Sequence, residues 1–405
     1  MIEHLIITVV LCMPPVLFLM LTVRNYRYAV GKFKNQRFLK NSLKVALIVP
    51  CRGLDTHFRG NIESLYHQDY EDYRLIFVVA DRQDPAYPLL CEIRDHQSPG
   101  SQVRSVEILC AGESQHCGQK IHNQLIGVKH VGKTVDSLVF ADADVQMGSH
   151  WLANMVYPLA ADKHGASSGY RWFVPSKNNM TSIALSNLNA RVAQMLGNTH
   201  FNHAWGGSMA IRTKLFYDVQ LDKIWAHTIS DDYSLSRTVK AAGKKVAYVP
   251  PCLNPSLEGM NWSELLEFLQ RQFIITRVCA PGTWWFALWA IAYSCLGLWL
   301  PLILACLPCV PLQTHIWSGV VAFIFFCTQL GNAILRQKMA LTLLASYARQ
   351  MRVAAWADIL LFPLTGLLFL LGILSSSWTR VVTWRGIRYR LISLTETIRL
   401  DDSSS

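Results

Sequence analysis

The chain has 405 residues, 51% of them hydrophobic, and 38 Lys and Arg against 27 Asp and Glu give a formal net charge of +11. That length accommodates two domains of ordinary size, and the basic residues border apolar segments, which suits anionic lipid headgroups and argues against nucleic acid as a partner. The 11 cysteines are scattered, and the CxxC at Cys306 and Cys309 lies in or beside an apolar run without a second ligand pair, so packing is its reading rather than zinc or redox chemistry.

Leu5 to Val23 contains no charge and is long enough to cross a bilayer as a helix. Glu3 and His4 stand where a cleaved signal peptide has basic residues, and no small-residue cleavage site follows. Arg24, Arg27, Lys32, Lys34, Arg37, Lys40 and Lys44 come after it. By the positive-inside rule this anchor (1–24) points its N-terminus outward and delivers the next domain (44–260) to the cytoplasm.

From Lys44 to about Pro250, strand-like and helix-like runs alternate, the pattern of an α/β domain. VALIVP (45–50), RLIFVVAD (74–81), VEILC (106–110) and SLVFADAD (137–144) read as strands; 59–67, 85–97 and 119–131 read as helices. Continuously apolar strands are buried on both faces, so the sheet is expected to be mostly parallel. Open sheets of this kind bind ligands at the carboxyl ends of their strands, where Asp81, Asp142 and Asp144 fall.

After about Trp262 the character changes. NWSELLEFLQRQFIITR (261–277) reads as an amphipathic helix at a membrane surface, within an interfacial segment 261–283. Apolar stretches at 284–310, 316–335 and 356–377 form a membrane region (284–378), and a basic then polar tail (379–405) follows. Three full crossings would leave basic 380–390 outside, against the positive-inside rule. One segment is therefore expected to be non-spanning or a hairpin. The candidates are 356–377, with Pro363 and Gly366, and 284–310, with Pro301 and Pro308.

Three acidic landmarks carry chemistry: Asp81 in VVADRQDPA, Asp142 and Asp144 in LVFADADV, and Asp231 and Asp232 in ISDDYSL. Transfer of a sugar from a nucleotide carrier needs a carboxylate near the nucleotide, one on a diphosphate-bound metal, and one to deprotonate the acceptor. Asp142-x-Asp144 at a strand end suits a hard cation such as Mg²⁺ or Mn²⁺, because a diphosphate and water complete its oxygen shell. A solvated strand end is the plain alternative. Asp231-Asp232 opens a helix, where capping explains one acid; Asp232 is the candidate general base and Asp231 a cap or orienter.

Two competing signals are weaker. Gly127 to Thr134 satisfies GxxxxGK[ST], but a phosphate loop follows a strand and opens a helix, and here the order is reversed. His200 and His203 have no nearby acidic third ligand; either could line a pocket with Trp205-Gly206-Gly207-Ser208, whose glycines permit close backbone approach.

These residues together resemble family 2-type inverting glycosyltransferases and, within them, the ceramide glucosyltransferase group (family 21). The resemblance covers roughly 44–280 with a weaker echo at the C-terminus. QDY (68–70) with VVADRQDPA (78–86) is similar to the group's first-Asp motif, which implies Asp81 at the nucleotide. GQKIHNQL (118–125) resembles its lysine-bearing segment, implying Lys120 at the donor diphosphate. FADADV resembles the second-Asp motif, implying metal on Asp144 with Asp142 beside the substrate. GGSMAIR (206–212) and SDDYSL (230–235) resemble the pocket strand and third-Asp motif, implying Gly207 and Asp231 at the substrate and Asp232 as base. TWRGIRYRL (383–391) is similar to a basic segment that closes many of the group's chains.

The group's [QR]xxRW signature departs here to Leu269-Gln-Arg271-Gln272-Phe273, which leaves Arg271 and Arg277 as substitutes contacting the leaving diphosphate. The fold implied is α/β, a glycosyltransferase-A type (Rossmann-like) domain with transmembrane helices. The function implied is inverting transfer of a hexose, glucose from its uridine diphosphate carrier, to a lipid hydroxyl such as that of ceramide. A processive polysaccharide synthase and an inactive donor-binding protein are the alternatives. The location expected is a bacterial inner membrane or the cytosolic face of an endomembrane, with the catalytic domain cytoplasmic.

Overall fold

In the computed structural model, which describes residues 2–36, 43–96, 102–308 and 310–400, the first apolar run lies inside a longer helix, α1 (Ile2–Lys34). Arg37, Lys40, Cys309 and the last five residues lie outside the described residues. Next, β1 (Val45–Pro50), β2 (Tyr73–Val79), β3 (Val103–Cys110) and β4 (Ser137–Ala141) alternate with α2 (Phe58–Tyr66), α3 (Ala86–Asp95) and α4 (Gln119–Val131). β1 pairs in parallel with β2 and β4, and β2 with β3. Every residue of β4 and all but the last of β1 are buried, as continuously apolar strands require.

The second and fourth strands end earlier than the apolar runs suggest, at Val79 and Ala141. Asp81, Asp142 and Asp144 therefore stand in loops just past strand ends, free of the alternation that would aim neighbouring side chains at opposite faces. Then come α5 (Trp151–Val156), β5 (His164–Pro175), α6 (Met180–Ala193), β6 (Ser208–Arg212), α7 (Thr213–Asp218), α8 (Leu221–Trp225), α9 (Asp231–Ala241) and β7 (Lys245–Glu258). The sheet order is β3-β2-β1-β4-β6-β5-β7, and β6 runs antiparallel to both β4 and β5. β5 escapes an apolar-run reading because Ser167 and Ser168 are buried in it; both hydroxyls donate to backbone carbonyls, of Met155 and Gly169.

Alternate residues of β1 serve two cores. Val45, Leu47 and Val49 pack with α2, α3 and α5, whereas Ala46 and Ile48 pack with α4, α7, α8 and α9. The carboxyl edge of the sheet is left open between these layers.

α10 (Trp262–Cys279) starts with a reciprocal cap between Asn261 and Glu264. α11 (Pro281–Cys306), α12 (Leu312–Leu343) and α13 (Ala348–Ser375) follow. Among the described residues, α1, α11, α12 and the stretch Ala345–Ser375 are four helices long and apolar enough to cross a membrane, by length and composition. Neither candidate segment forms a hairpin: α11 continues through Pro301, and α13 only bends, at Leu361 near Pro363.

α13 nonetheless packs on the α/β domain near both of its ends. Met351 near its start packs with Trp172, Val174 and Tyr248 of the α/β domain. Phe369 and Ile373 near its end pack with Phe173 of that domain and with Leu265 and Leu269 of α10. Between them, Asp358 takes a buried two-pronged contact from Arg336 of α12, at 2.5 and 2.6 Å, and Arg191 of α6 donates to the Phe362 carbonyl at 2.6 Å. The tail folds into a small antiparallel sheet, β8 (Val381–Trp384), β9 (Ile387–Ser393) and β10 (Glu396–Leu400). Val382, Ile387, Tyr389 and Leu391 bury it against Ile229 and α10.

Candidate active site

A cavity of about 440 Å³ opens at the carboxyl ends of β1 and β4, and Asp142, Asp144, Lys120, Arg171, Asp231 and Asp232 line its inner end. Asp142 is tied to the pocket strand, its N–H donating to the Gly207 carbonyl at 3.2 Å. The two glycines are there for space. A Cβ on Gly206 would lie 2.6 Å from Asp231 Oδ1, and one on Gly207 2.2 Å from Trp205 Cζ2 and 2.6 Å from Asp142 Oδ2.

Lys120, in the first turn of α4, joins two landmarks that lie far apart in sequence. Its Nζ stands 2.7 Å from Asp142 Oδ1 and 3.1 Å from Asp231 Oδ2. Burial by itself would lower the Lys120 pKa, but the Asp142 and Asp231 carboxylates outweigh it and raise it. Burial likewise pushes Asp142 up, and Lys120 and Arg171 overcome it to hold Asp142 below the usual carboxylate range. Asp144 has no such close partner. Burial raises its pKa, with Arg171 opposing from 4.0 Å.

At the start of α9 the capping role falls to Ser230, whose hydroxyl accepts from the Tyr233 N–H at 3.2 Å. Asp231 is thereby free to turn inward, where Gln124 Nε2 also donates to it at 2.9 Å. Asp232 Oδ1 accepts from Ser230 Oγ at 2.5 Å and from the Tyr233 N–H at 2.7 Å. Burial first, and the Asp231 charge second, push the Asp232 pKa up to about 6. A carboxylate tuned there is ionised near neutrality yet basic enough to take a hydroxyl proton in a transition state.

The remaining candidates divide. Asp81 is exposed and outside the main cavity; it accepts from the N–H groups of Gln83 and Asp84, at 2.6 and 3.2 Å, and borders a second cavity of about 180 Å³. Arg52 and Gln119 line both cavities, so the two are neighbours. Arg271 lines the main cavity between the rings of Phe268 and Trp384, 5.6 and 5.9 Å from their centroids, and burial lowers its pKa. Arg277 does not reach the cavity: its guanidinium donates to the carbonyls of Ser377 and Thr379, fastening α10 to the segment after α13. Gln272 and Phe273 both line the cavity wall.

His203 is half-buried against Thr283 Oγ1 at 3.0 Å, and desolvation lowers its pKa to about 4; exposed His200 does not line the cavity. Gly132 and Lys133 follow the end of α4, Lys133 over the Tyr217 ring, so no helix start meets that loop.

Sequence reasoning missed Arg171 and gave Arg385 no role. Arg171 lies over the rings of Phe173 and Trp205, 5.1 Å from each centroid, and 3.9 Å from Asp142. Arg385, from the β8–β9 turn, lies 3.1 Å from Asp55 and 3.7 Å from Asp144. Arg171 sits in β5 with no local signal; Arg385 belonged to a recognised basic segment without a readable target.

Among the described residues, no group of three or more His, Cys, Asp or Glu could hold a metal by itself. Asp144 Oδ1 is buried without a hydrogen-bond partner, and Asp142 is its neighbour. This all-oxygen pair fits a hard divalent cation whose shell is completed by phosphate and water.

The family described as Glycosyl transferase family 21 matches residues 7–396. No curated protein matches. Among solved structures, the chain is similar to a mannosyltransferase, PcManGT from Pyrobaculum calidifontis, in complex with GDP-Man and Mn²⁺, at 13% identity and TM-score 0.43 over 91% of this chain and 97% of that one. It is also similar to GalNAc-T7 with UDP, GalNAc and Mn²⁺, at 11% identity and TM-score 0.38 over 69% of this chain and 55% of that one.

Proposed function

Because the chain belongs to glycosyl transferase family 21, we propose that it moves one hexose from a nucleotide diphosphate sugar to the hydroxyl of a membrane lipid, with inversion. The observation that carries this reading is the two-ended cavity. Its inner end holds the carboxylates and Lys120, while Phe173, Leu185, Leu188 and Val192, with Phe268 of α10 and Phe369 of α13, make its other wall apolar. A lipid chain gains free energy against such a wall as its headgroup reaches the charged end.

In this reading the acceptor oxygen attacks the anomeric carbon from the face opposite the diphosphate. The carbon–oxygen bond to the diphosphate breaks, and Asp232 takes the hydroxyl proton. Lys120 and Arg171 orient the diphosphate and balance the charge that grows on it. Asp144 and Asp142 would hold a Mg²⁺ or Mn²⁺ ion, which supplies Lewis-acid stabilisation of the leaving nucleoside diphosphate. Asp81 and its smaller cavity suit the nucleotide, because Arg52 and Gln119 connect the two spaces. Uridine diphosphate glucose as donor and a ceramide-like acceptor follow from the sequence resemblance.

The same reading orders the membrane region. α1, α11 and α12 cross, and α13 does not, since both of its ends pack near the α/β domain. The tail sheet then shares the domain's side, the cytoplasm, and its basic residues obey the positive-inside rule.

The test uses purified protein in lipid nanodiscs with Mn²⁺, a panel of nucleotide sugars, and ceramide or diacylglycerol. Nucleoside diphosphate release and lipid mass are followed beside an Asp232→Asn control. One added hexose, absent in the control, is the expected result. A ladder of additions would replace this reading with a polymerase, and donor binding without turnover on any lipid would replace it with an inactive donor-binding protein.

A further inference from the structure

Arg385 occupies an unfavourable position for an arginine. β8 and β9 are joined by a two-residue turn in which Trp384 pairs with Ile387, and Arg385 and Gly386 have φ of 45° and 81°. Both central residues are in the left-handed region, which side chains other than Gly, Asn or Asp rarely enter. Strain of this kind at a cavity is a lead to function.

The turn aims the guanidinium at the charged end of the cavity. Arg385 Nη2 lies 3.1 Å from Asp55 Oδ2 and 3.7 Å from Asp144 Oδ2, and Nη1 donates to the Arg52 carbonyl at 3.0 Å. The small sheet behind it is seated where the two cavities meet: the Gln119 N–H donates to Tyr389 Oη at 3.3 Å, and Arg399 pairs with Glu113 at 2.9 Å. Arg385 therefore places positive charge beside Asp144, the residue whose other oxygen has no partner. A divalent cation bound there by itself would be repelled by Arg385. A diphosphate arriving with that cation offers the guanidinium a forked acceptor better than two separate carboxylates.

We propose that Arg385 holds the cation's place at Asp55 and Asp144 in the donor-free chain and passes to the donor diphosphate when metal and donor bind together. This rests on the reading of the cavity as a nucleotide diphosphate sugar site. Arg385 thereby makes metal binding depend on nucleotide binding.

The experiment measures Mn²⁺ binding by electron paramagnetic resonance, without and with uridine diphosphate, on the full chain in nanodiscs. For Arg385→Gln the expected result is Mn²⁺ alone bound about tenfold more tightly and uridine diphosphate with Mn²⁺ about tenfold more weakly, the scale of one hydrogen bond to a charged group. Arg385→Lys, which keeps the charge and loses the fork, should shift both in the same directions by less, so the proposal stays testable if the Gln variant does not fold. Arg390→Gln removes a charge from the exposed face of the same sheet, at a residue that lines neither cavity, and should leave both affinities unchanged. Unchanged affinities in both Arg385 variants, a parallel loss of both, or the same shifts in Arg390→Gln would overturn the proposal while leaving the donor site in place. A parent chain that binds Mn²⁺ but no nucleotide diphosphate of any base would overturn the donor-site reading along with it.

Discussion

Lys120 Nζ and Asp142 Oδ1 stand 2.7 Å apart in the interior of the site, and the same ammonium reaches Asp231 at 3.1 Å. One cation thus joins the end of β4 to the start of α9. Replacing it leaves two carboxylates facing each other with burial working against both charges. Lys120→Met is expected to destabilise the chain by about 3 kcal/mol, the scale of breaking a buried pair, and to weaken donor binding. Thermal unfolding in detergent and nucleotide titration check the two effects separately.

Asp232 gives a pH dependence whose two parts run in opposite directions. Transfer needs the ionised form, so kcat/KM should fall about tenfold per pH unit below about 6. The folded-state pKa is raised, so the stability that Asp232 contributes is fully present below its unfolded value. It is lost as pH rises through about 6. Asp232→Asn should cost about 10²–10⁴-fold in rate, as loss of a general base does, while abolishing the acid limb and keeping nucleotide affinity.

Gly207 tests how tightly the pocket strand approaches the carboxylates. A methyl group there would meet Trp205 Cζ2 at 2.2 Å and Asp142 Oδ2 at 2.6 Å, neither of them at the end of a long flexible chain. Gly207→Ala is expected to cost about 1–3 kcal/mol by overpacking and to displace Asp142. Donor affinity should fall more than acceptor KM changes, which steady-state kinetics in both substrates resolves.

The membrane arrangement predicts the side of the C-terminus. With α1, α11 and α12 proposed to cross and α13 to stay on the domain's side, a fluorescent protein fused after the tail should fold and fluoresce in the cytoplasm of a bacterial host. An alkaline phosphatase fused at the same point should be inactive. Active phosphatase with a dark fluorescent fusion would mean that α13 crosses as well.

Much of the scaffold was legible because it follows from near neighbours along the chain. VALIVP became β1 residue for residue, and 119–131 became α4, since apolar continuity and helical spacing are local properties. The acids past β2 and β4 were legible for the same reason. The buried polar strand β5 was not, because its serines are satisfied by partners that a linear pattern does not display. Arg277 shows the converse: a charge beside a familiar motif is not thereby in the site, and here two backbone carbonyls hold it elsewhere.

By itself the sequence determined an α/β domain with carboxylates past its strand ends, joined to apolar helices. Period and composition record which surfaces must be buried. Only the tertiary structure decided which charges meet. Arg385 reaches Asp55 from 330 positions away, and Lys120 is made the partner of Asp231 by the packing of α4 on α8, which in turn packs on α9. Such pairs depend on distance through space in a buried site, where a charge must find its opposite or be neutralised, and no spacing along the chain encodes that distance.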